Sequence, residues 1–118
     1  MSYRSEVAIV IDKFKTTDED IEAIKHLFKK LRETHNLNTE VITENERYIQ
    51  FFDNFLRWDE TEQTVYALIN FLNLLEDNSY TYLRVGEEIG DFEFKGNPDF
   101  GLSLLYQIDV NSLPLQTK

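Results

Sequence analysis

The run of five apolar residues from Val7 to Ile11 constrains the fold of this chain more than any other feature. In a strand over residues 3–12, alternate side chains point to opposite faces of the sheet. Here both sets are apolar: Val7, Ile9 and Ile11 on one face, Ala8 and Val10 on the other. This pattern is typical of a central strand with both faces covered.

Two later segments have the apolar spacing of amphipathic helices. The first opens with Thr16 and Glu19 at capping-box spacing and ends near residues 34–36. Its apolar stripe consists of Ile21, Ile24, Leu27, Phe28 and Leu31. The second opens with Asp59 and Glu62 at the same spacing and ends at residues 76–79. Its stripe consists of Val65, Leu68, Ile69, Leu72 and Leu75.

The extended segments complete an α+β pattern. We predict strands at residues 39–43, 47–58, 80–85 and 102–110, extended structure at 92–94, and a loose tail over 111–118. The order β-α-β-β-α-β-β contains the split βαβ arrangement of ferredoxin-like folds. We therefore expect a single domain, residues 1–118, in which two helices cover one face of an antiparallel sheet as a two-layer sandwich.

The charge balance argues against one class of partner. The chain has 22 acidic and 12 basic side chains and a formal net charge of −10. Nucleic-acid binding needs clustered basic residues that displace the counterions of phosphates. The basic cluster on the first helix is interleaved with Glu22 and Glu33; it consists of Lys25, Lys29, Lys30 and Arg32. We expect no direct nucleic-acid binding.

The sequence also predicts a cytoplasmic location. Its apolar runs are too short to span a bilayer, so we expect no membrane partner. The N-terminus lacks the long apolar core of a signal peptide. The absence of cysteine fits a reducing compartment.

No residue pattern indicates catalysis, and we expect a protein that is not an enzyme. A nucleophilic site needs a Ser, Thr or Cys beside an oriented base. The histidines are His26, at the border of the apolar stripe of the first helix, and His35, at the end of that helix, where an imidazolium favours the helix dipole.

The densest acidic cluster lies between Gly86 and Phe94, and we interpret it as a solvated turn. It consists of Glu87, Glu88, Asp91 and Glu93, with Asp99 further along. Such oxygens suit hard cations, but the spacing is not that of an EF-hand loop. Gly86 and Gly90 allow a turn or bulge before the next extended segment. We expect neither a metal nor a cofactor.

Aromatic side chains are concentrated in residues 47–58. One strand face would carry Tyr48, Phe52, Leu56 and Trp58, and the other Ile49, Phe51 and Phe55. If helices cover one sheet face alone, part of this set is exposed as a partner surface, which a sheet-to-sheet homodimer would cover. Two alternatives remain: the final segment folds back over that face, or residues 47–58 are partly helical.

Three arginines on predicted strands suggest an alternative function. Arg4, Arg57 and Arg84 could contact a nucleotide or another small molecule held at a dimer interface, where the protein would sequester a signal. The competing interpretation is that all three are exposed edge residues.

Three stretches together resemble a group of small, mostly uncharacterised proteins of bacteriophages and prophages. They are Tyr-Arg-Ser-Glu at residues 3–6, Phe-Leu-Arg-Trp at 55–58 and Arg-Val-Gly-Glu-Glu at 84–88. The resemblance covers residues 3–110 and carries no catalytic residue. It implies a phage or mobile-element origin, and with it a function in binding and blocking a host protein, including host defence nucleases.

Our leading hypothesis is therefore a protein-binding module with an acidic and aromatic surface, directed at a host protein. The candidate surface consists of Tyr48, Phe52, Arg57, Trp58, Arg84, Glu87, Glu88 and Asp91.

Overall fold

A five-stranded antiparallel sheet lies at the centre of residues 3–97, the part of the chain that the computed structural model describes. The strands are β1 (Ser5–Asp12), β2 (Ile42–Glu44), β3 (Tyr48–Leu56), β4 (Tyr80–Gly86) and β5 (Phe92–Gly96). Their order is β2-β3-β1-β4-β5, and every neighbouring pair is antiparallel. The central position of β1, predicted from its two apolar faces, is confirmed.

Two helices pack against one face of this sheet. They are α1 (Asp18–Thr34) and α2 (Gln63–Leu74). The residues buried between sheet and helices include Val7, Ile9, Ile11, Ile24, Phe28, Ile49, Phe51, Leu68, Leu72 and Tyr82. The prediction of a two-layer α+β arrangement is confirmed.

The first turn of each helix differs from the prediction. The cap of α1 is Thr17, whose Oγ1 accepts the Asp20 N–H at 3.1 Å, whereas the Thr16 hydroxyl donates to the Asp12 carbonyl oxygen. The cap of α2 is Glu62. Asp59 instead accepts the N–H of Thr61 in a separate turn, because short acidic side chains bond readily to the backbone two residues on.

The second predicted strand is shorter than residues 39–43. Thr39–Val41 form one turn of 3-10 helix, capped by Asn38, whose side chain accepts the N–H of Glu40. The strand is therefore restricted to Ile42–Glu44.

A bulge in β3 corrects the predicted faces of the aromatic segment. Val7 pairs with Asp53, but Ser5 pairs with Leu56, so β3 contains one extra residue between these pairs. An extra residue moves the following side chains to the other face. Leu56 and Trp58 therefore pack on the helix side, whereas Tyr48 and Phe52 point to the opposite face. The helical alternative for residues 47–58 is wrong, and the strand ends at Leu56.

The sheet face opposite the helices is buried at its centre. Ala8, Val10, Leu83 and Val85 are at most 2% exposed. Tyr48, Phe52 and Phe92 border this cluster and are half-buried. The predicted last strand at 102–110, the tail at 111–118 and Asp99 lie outside the described residues. Within residues 3–97, no helix has the length and apolar character that a membrane span requires.

We predict that Gly96→Ala destabilises the fold more than Gly90→Ala. Both glycines have positive φ, +94° and +90°, and an alanine there costs about 1–2 kcal/mol. At Gly96 the added Cβ would also lie 2.1 Å from the Tyr80 carbonyl oxygen, whereas nothing lies within 4 Å of it at Gly90. Backbone displacement should raise the loss at Gly96 to about 3 kcal/mol. Urea unfolding measures the loss of unfolding free energy in each variant. Equal losses would contradict the close approach of Gly96 to the Tyr80 carbonyl.

Candidate functional site

A five-residue connection, Glu87 to Asp91, joins β4 to β5 at one end of the sheet. The backbone closes it: the Gly86 N–H donates to the Asp91 carbonyl at 2.7 Å, and the Asp91 N–H to the Glu88 carbonyl at 3.0 Å. Gly90 supplies the positive φ that the connection needs. The prediction of an acidic turn that glycines permit is confirmed.

Arg84 lies beneath this turn, on the helix-facing side of β4. Its side chain is 12% exposed, and its guanidinium donates to Asp91 Oδ1 at 2.8 Å, Glu93 Oε1 at 3.0 Å and Ser5 Oγ at 3.1 Å. Burial lowers the pKa of Arg84, but the hydrogen bonds to Asp91 and Glu93 outweigh burial and raise it. The interpretation of Arg84 as an exposed edge residue is therefore wrong.

The carboxylate of Asp91 connects Arg84 to the N-terminal segment. The Tyr3 hydroxyl donates to Asp91 Oδ2 and accepts the N–H of Glu88 at 3.0 Å. Hydrogen bonds from Arg84 and then Tyr3 hold the pKa of Asp91 below its usual value. The hydrogen bond to Asp91 raises the pKa of Tyr3. Gly86 makes this contact possible, because a Cβ there would lie 2.1 Å from Asp91 Oδ2 and 2.4 Å from the Tyr3 hydroxyl oxygen.

Arg4 joins the turn to the end of β3. Its backbone N–H donates to the carboxylate of Glu87, and its guanidinium carbon lies 4.9 Å from the centroid of the Phe55 ring. Three separate segments of the chain, residues 3–5, the end of β3 and the β4–β5 turn, therefore meet at one end of the sheet.

Three large apolar side chains are exposed at this end. Tyr3 is 43% exposed, Phe55 66% and Ile89 93%. We call these three residues the end patch. Glu87 and Glu88 are exposed in the same turn, and the Asp91 carboxylate is already paired with Arg84. Two cations lie on the Phe55 side, Arg4 over its ring and the exposed Arg57. Apolar side chains within a charged border are typical of a surface that contacts another protein.

Trp58 belongs to the core rather than to this surface. Its ring lies 6.1 Å from the ring of Tyr82, and it packs against the helix-side cluster. Its Nε1 is buried and makes no hydrogen bond of regular geometry within residues 3–97. The Tyr82 hydroxyl donates to Glu93 at 3.1 Å, and burial raises the pKa of Tyr82 more than the interaction of its hydroxyl with Trp58 lowers it.

The structure thus divides the predicted surface. Arg84, Glu87, Glu88 and Asp91 lie together at the turn. Arg57 is exposed just after β3. Tyr48 and Phe52 lie on the sheet face opposite the helices, and Tyr48 pairs with Asp12 at the far end of β1, where the Arg47 guanidinium stacks on its ring at 5.3 Å. These two aromatic residues therefore do not share a surface with the turn.

The two described histidines lie apart from the turn, on and just after α1. His26 is exposed on α1, and His35 follows the last turn of that helix, where its Nε2 lies 3.3 Å from Glu62 Oε1. Within residues 3–97, no group of three or more His, Asp or Glu side chains is placed to hold a metal ion.

The candidate surface predicted from the sequence contains none of the three members of the end patch. The sequence places Tyr3 in the opening strand, Phe55 in the aromatic segment 47–58 and Ile89 in the acidic turn. A signal for Ile89 exists: a large aliphatic residue between Glu88 and Gly90 has no neighbouring apolar residue to pack with.

Comparisons with known proteins give no identification, because the chain matches no protein-family model, no curated protein and no solved structure.

We predict that Asp91→Asn destabilises the protein at neutral pH but not in acid. The folded pKa of Asp91 is depressed, so its contribution is full above the unfolded value of about 3.9 and disappears as pH falls through the folded value. Because 34% of the side chain is exposed, solvent limits the loss to about 1 kcal/mol at pH 7.

Urea unfolding at neutral pH and below about pH 3 measures this difference. Glu88→Gln, which removes a charge from the same turn without a contact to Arg84, is the control. A loss that is as large in acid as at neutral pH would contradict the role of the carboxylate.

Proposed function

We propose that this protein is a non-enzymatic binding module that attaches to a partner protein through the end patch. The carrying observation is the joint exposure of Tyr3, Phe55 and Ile89 at one end of the sheet. An exposed apolar cluster loses its contact with water when a partner covers it, and aromatic residues are frequent anchors of such contacts.

The charges around the end patch indicate the chemistry of the partner. Glu87 and Glu88 precede Ile89, and Asp59 and Glu60 follow Arg57 in the loop after β3. A complementary surface has an apolar depression with Lys and Arg side chains at its border. The net charge of −10 attracts such a basic surface over a longer range.

The hydrogen bonds beneath the patch support binding without rearrangement. Arg84 holds Asp91, Asp91 holds Tyr3, and Glu87 holds the backbone of Arg4. Side chains and loops that are ordered before binding lose less entropy on association. The turn therefore presents Ile89 in a fixed position.

The biological setting is also a proposal. The resemblance to small phage and prophage proteins supports a phage-encoded inhibitor of a host protein that acts in the host cytoplasm. A host defence protein with a basic nucleic-acid groove has the partner chemistry described above. The fold fits a ferredoxin-like assignment, which is supported by the position of β1 between β3 and β4, antiparallel to both.

We predict that the double variant Phe55→Ser with Ile89→Ser loses the partner and retains the fold. Both side chains are exposed, so their replacement should change the free energy of unfolding by less than about 1 kcal/mol. The loss of two anchors should weaken binding by about 2 kcal/mol or more, roughly thirtyfold.

Phe14→Ser is the matched control. Phe14 has the same 66% exposure as Phe55 and likewise lies under an arginine, Arg47 at 5.3 Å. It follows β1 at the opposite end of a strand that is about 25 Å long. The two phenylalanines thus differ in location and not in exposure.

Affinity purification from host lysate, quantified by mass spectrometry, compares the three proteins in low and high salt. A stoichiometric partner that wild type and Phe14→Ser retain, and that the double variant and high salt release, supports the proposal. A partner that the double variant retains, or no partner for wild type, overturns it.

A further inference from the structure

The outer face of α2 differs from the rest of this highly charged chain. No charged residue occurs from Gln63 to Leu75, although 29% of all residues are charged. The exposed side chains of the helix are those of Gln63, Tyr66, Ala67, Asn70, Asn73 and Leu74. They fall on one stripe at helical spacing, and Tyr66 is 61% exposed and Leu74 84%. We call these six residues the α2 face.

The exposed face of α1 provides the comparison. Both helices bury one apolar stripe against the same side of the sheet. The outward residues of α1 include Glu19, Glu22, Lys29, Lys30 and Glu33. Packing on the sheet does not explain why the outward residues of α1 are charged and those of α2 are not, because outward residues make no contact with the core. No residue of the α2 face is charged, and a cation lies at its border: Lys95 of β5, whose Nζ donates to Asn73 Oδ1 at 3.2 Å. The lack of charge on the helix itself therefore indicates a property of the surface.

We propose that the α2 face binds a second copy of this chain. Two molecules that each carry a net charge of −10 repel one another, and the repulsion is least where uncharged surfaces meet. A twofold interface also has to be complementary to itself, since each residue meets the same patch on the other copy. A charged side chain near the twofold axis is not self-complementary, because it would lie beside the same charge on the other copy.

The polar members of the α2 face satisfy the requirement. Gln63 and Asn70 carry amides, each of which both donates and accepts hydrogen bonds, so an amide pairs with its own copy. The amide of Asn73 already accepts a hydrogen bond from Lys95 Nζ and lies at the border of the face. Tyr66 and Leu74 add apolar area on either side of Asn70. A partner of different sequence could supply opposite charges, so binding it would not require this face to be uncharged.

The spacing of the residues defines how the copies pack. Tyr66, Asn70 and Leu74 stand four residues apart and form one ridge along α2. Two such ridges pack into each other's grooves when the helices cross at about −50°. With Asn70 at the crossing point, the acidic residues Glu62 and Glu76, just beyond the two ends of the helix, lie outside the crossing.

The dimer is expected to be weak. A helix of 12 residues is about 18 Å long, and one helix crossing covers less than the roughly 800 Å² per partner of a standard interface. The dimer should also strengthen with salt, since the Debye length falls from about 10 Å at 0.1 M to about 3 Å at 1 M and the repulsion is screened. This response is opposite to that expected of a basic partner at the end patch, and the dimer does not depend on that proposal.

Sedimentation equilibrium over a range of protein concentrations tests the dimer and its location. Asn70→Lys and Asn70→Glu each place two like charges at the crossing point and should weaken self-association at least about tenfold. An equal mixture of the two variants places opposite charges there and should restore association. His26→Lys introduces the same charge on the exposed face of α1 and should leave the dimer unchanged.

If the mixture associates, both variants are folded, and the loss of self-association in each single variant is not caused by unfolding. Self-association of wild type that Asn70→Lys abolishes and the mixture restores supports the proposal. A wild type that is monomeric at every concentration and salt level overturns it. So does a dimer that survives Asn70→Lys, or a mixture that fails to associate.

Discussion

The guanidinium of Arg84 organises the end of the sheet on which the proposed function depends. It lies at the edge of the core, where burial disfavours an unpaired charge. Asp91, Glu93 and Ser5 supply the oxygen acceptors that it needs. Satisfying this one cation therefore fixes the start of β1, the turn after β4 and the start of β5 relative to one another.

The contacts above Arg84 follow from that arrangement. Once Asp91 is held, its second oxygen accepts the Tyr3 hydroxyl, and Gly86 leaves the space that this contact requires. Tyr3 and Arg4 then lie across the end of the sheet, and Arg4 stacks on Phe55. Tyr3 and Phe55 are thus held by polar contacts in addition to the packing of the sheet.

The distribution of charge gives the two proposed surfaces different behaviour. The proposed partner of the end patch is basic, because Glu87, Glu88 and the net charge of −10 attract such a surface, and we expect that complex to weaken with salt. The α2 face lacks charge, so a copy of the same acidic chain can approach it. The two faces are separate sets of residues, and a dimer through α2 leaves Phe55 and Ile89 available to another protein.

Much of the fold can be predicted from the sequence, because periodicity reports burial directly. The stripes of both helices and the two apolar faces of β1 follow from spacing alone. The bulge in β3 cannot be seen in this way: the extra residue lies between Asp53 and Leu56, where the pair Asn54-Phe55 gives no alternation that marks it. Because of that one residue, Leu56 and Trp58 pack on the helix side of the sheet and not on the face predicted for them, which they were to share with Tyr48 and Phe52.

The candidate site was predicted in part. The acidic turn and its glycines were recognised, since composition alone indicates a turn. The buried position of Arg84 cannot be predicted, because its partners, Ser5, Asp91 and Glu93, come from three segments that only tertiary structure brings together. Tyr3 and Phe55 likewise reach the turn only through tertiary structure.

Amide hydrogen exchange of Arg84→Met tests most directly whether Arg84 organises this end of the molecule. The Gly86 and Asp91 amides donate within the turn, and the Lys13 amide, which donates to the Arg47 carbonyl at 2.7 Å, reports on the opposite end. Loss of the guanidinium should accelerate exchange at Gly86 and Asp91 at least about tenfold and leave Lys13 unchanged. Unchanged exchange in the turn, or equal acceleration at both ends, would contradict the account.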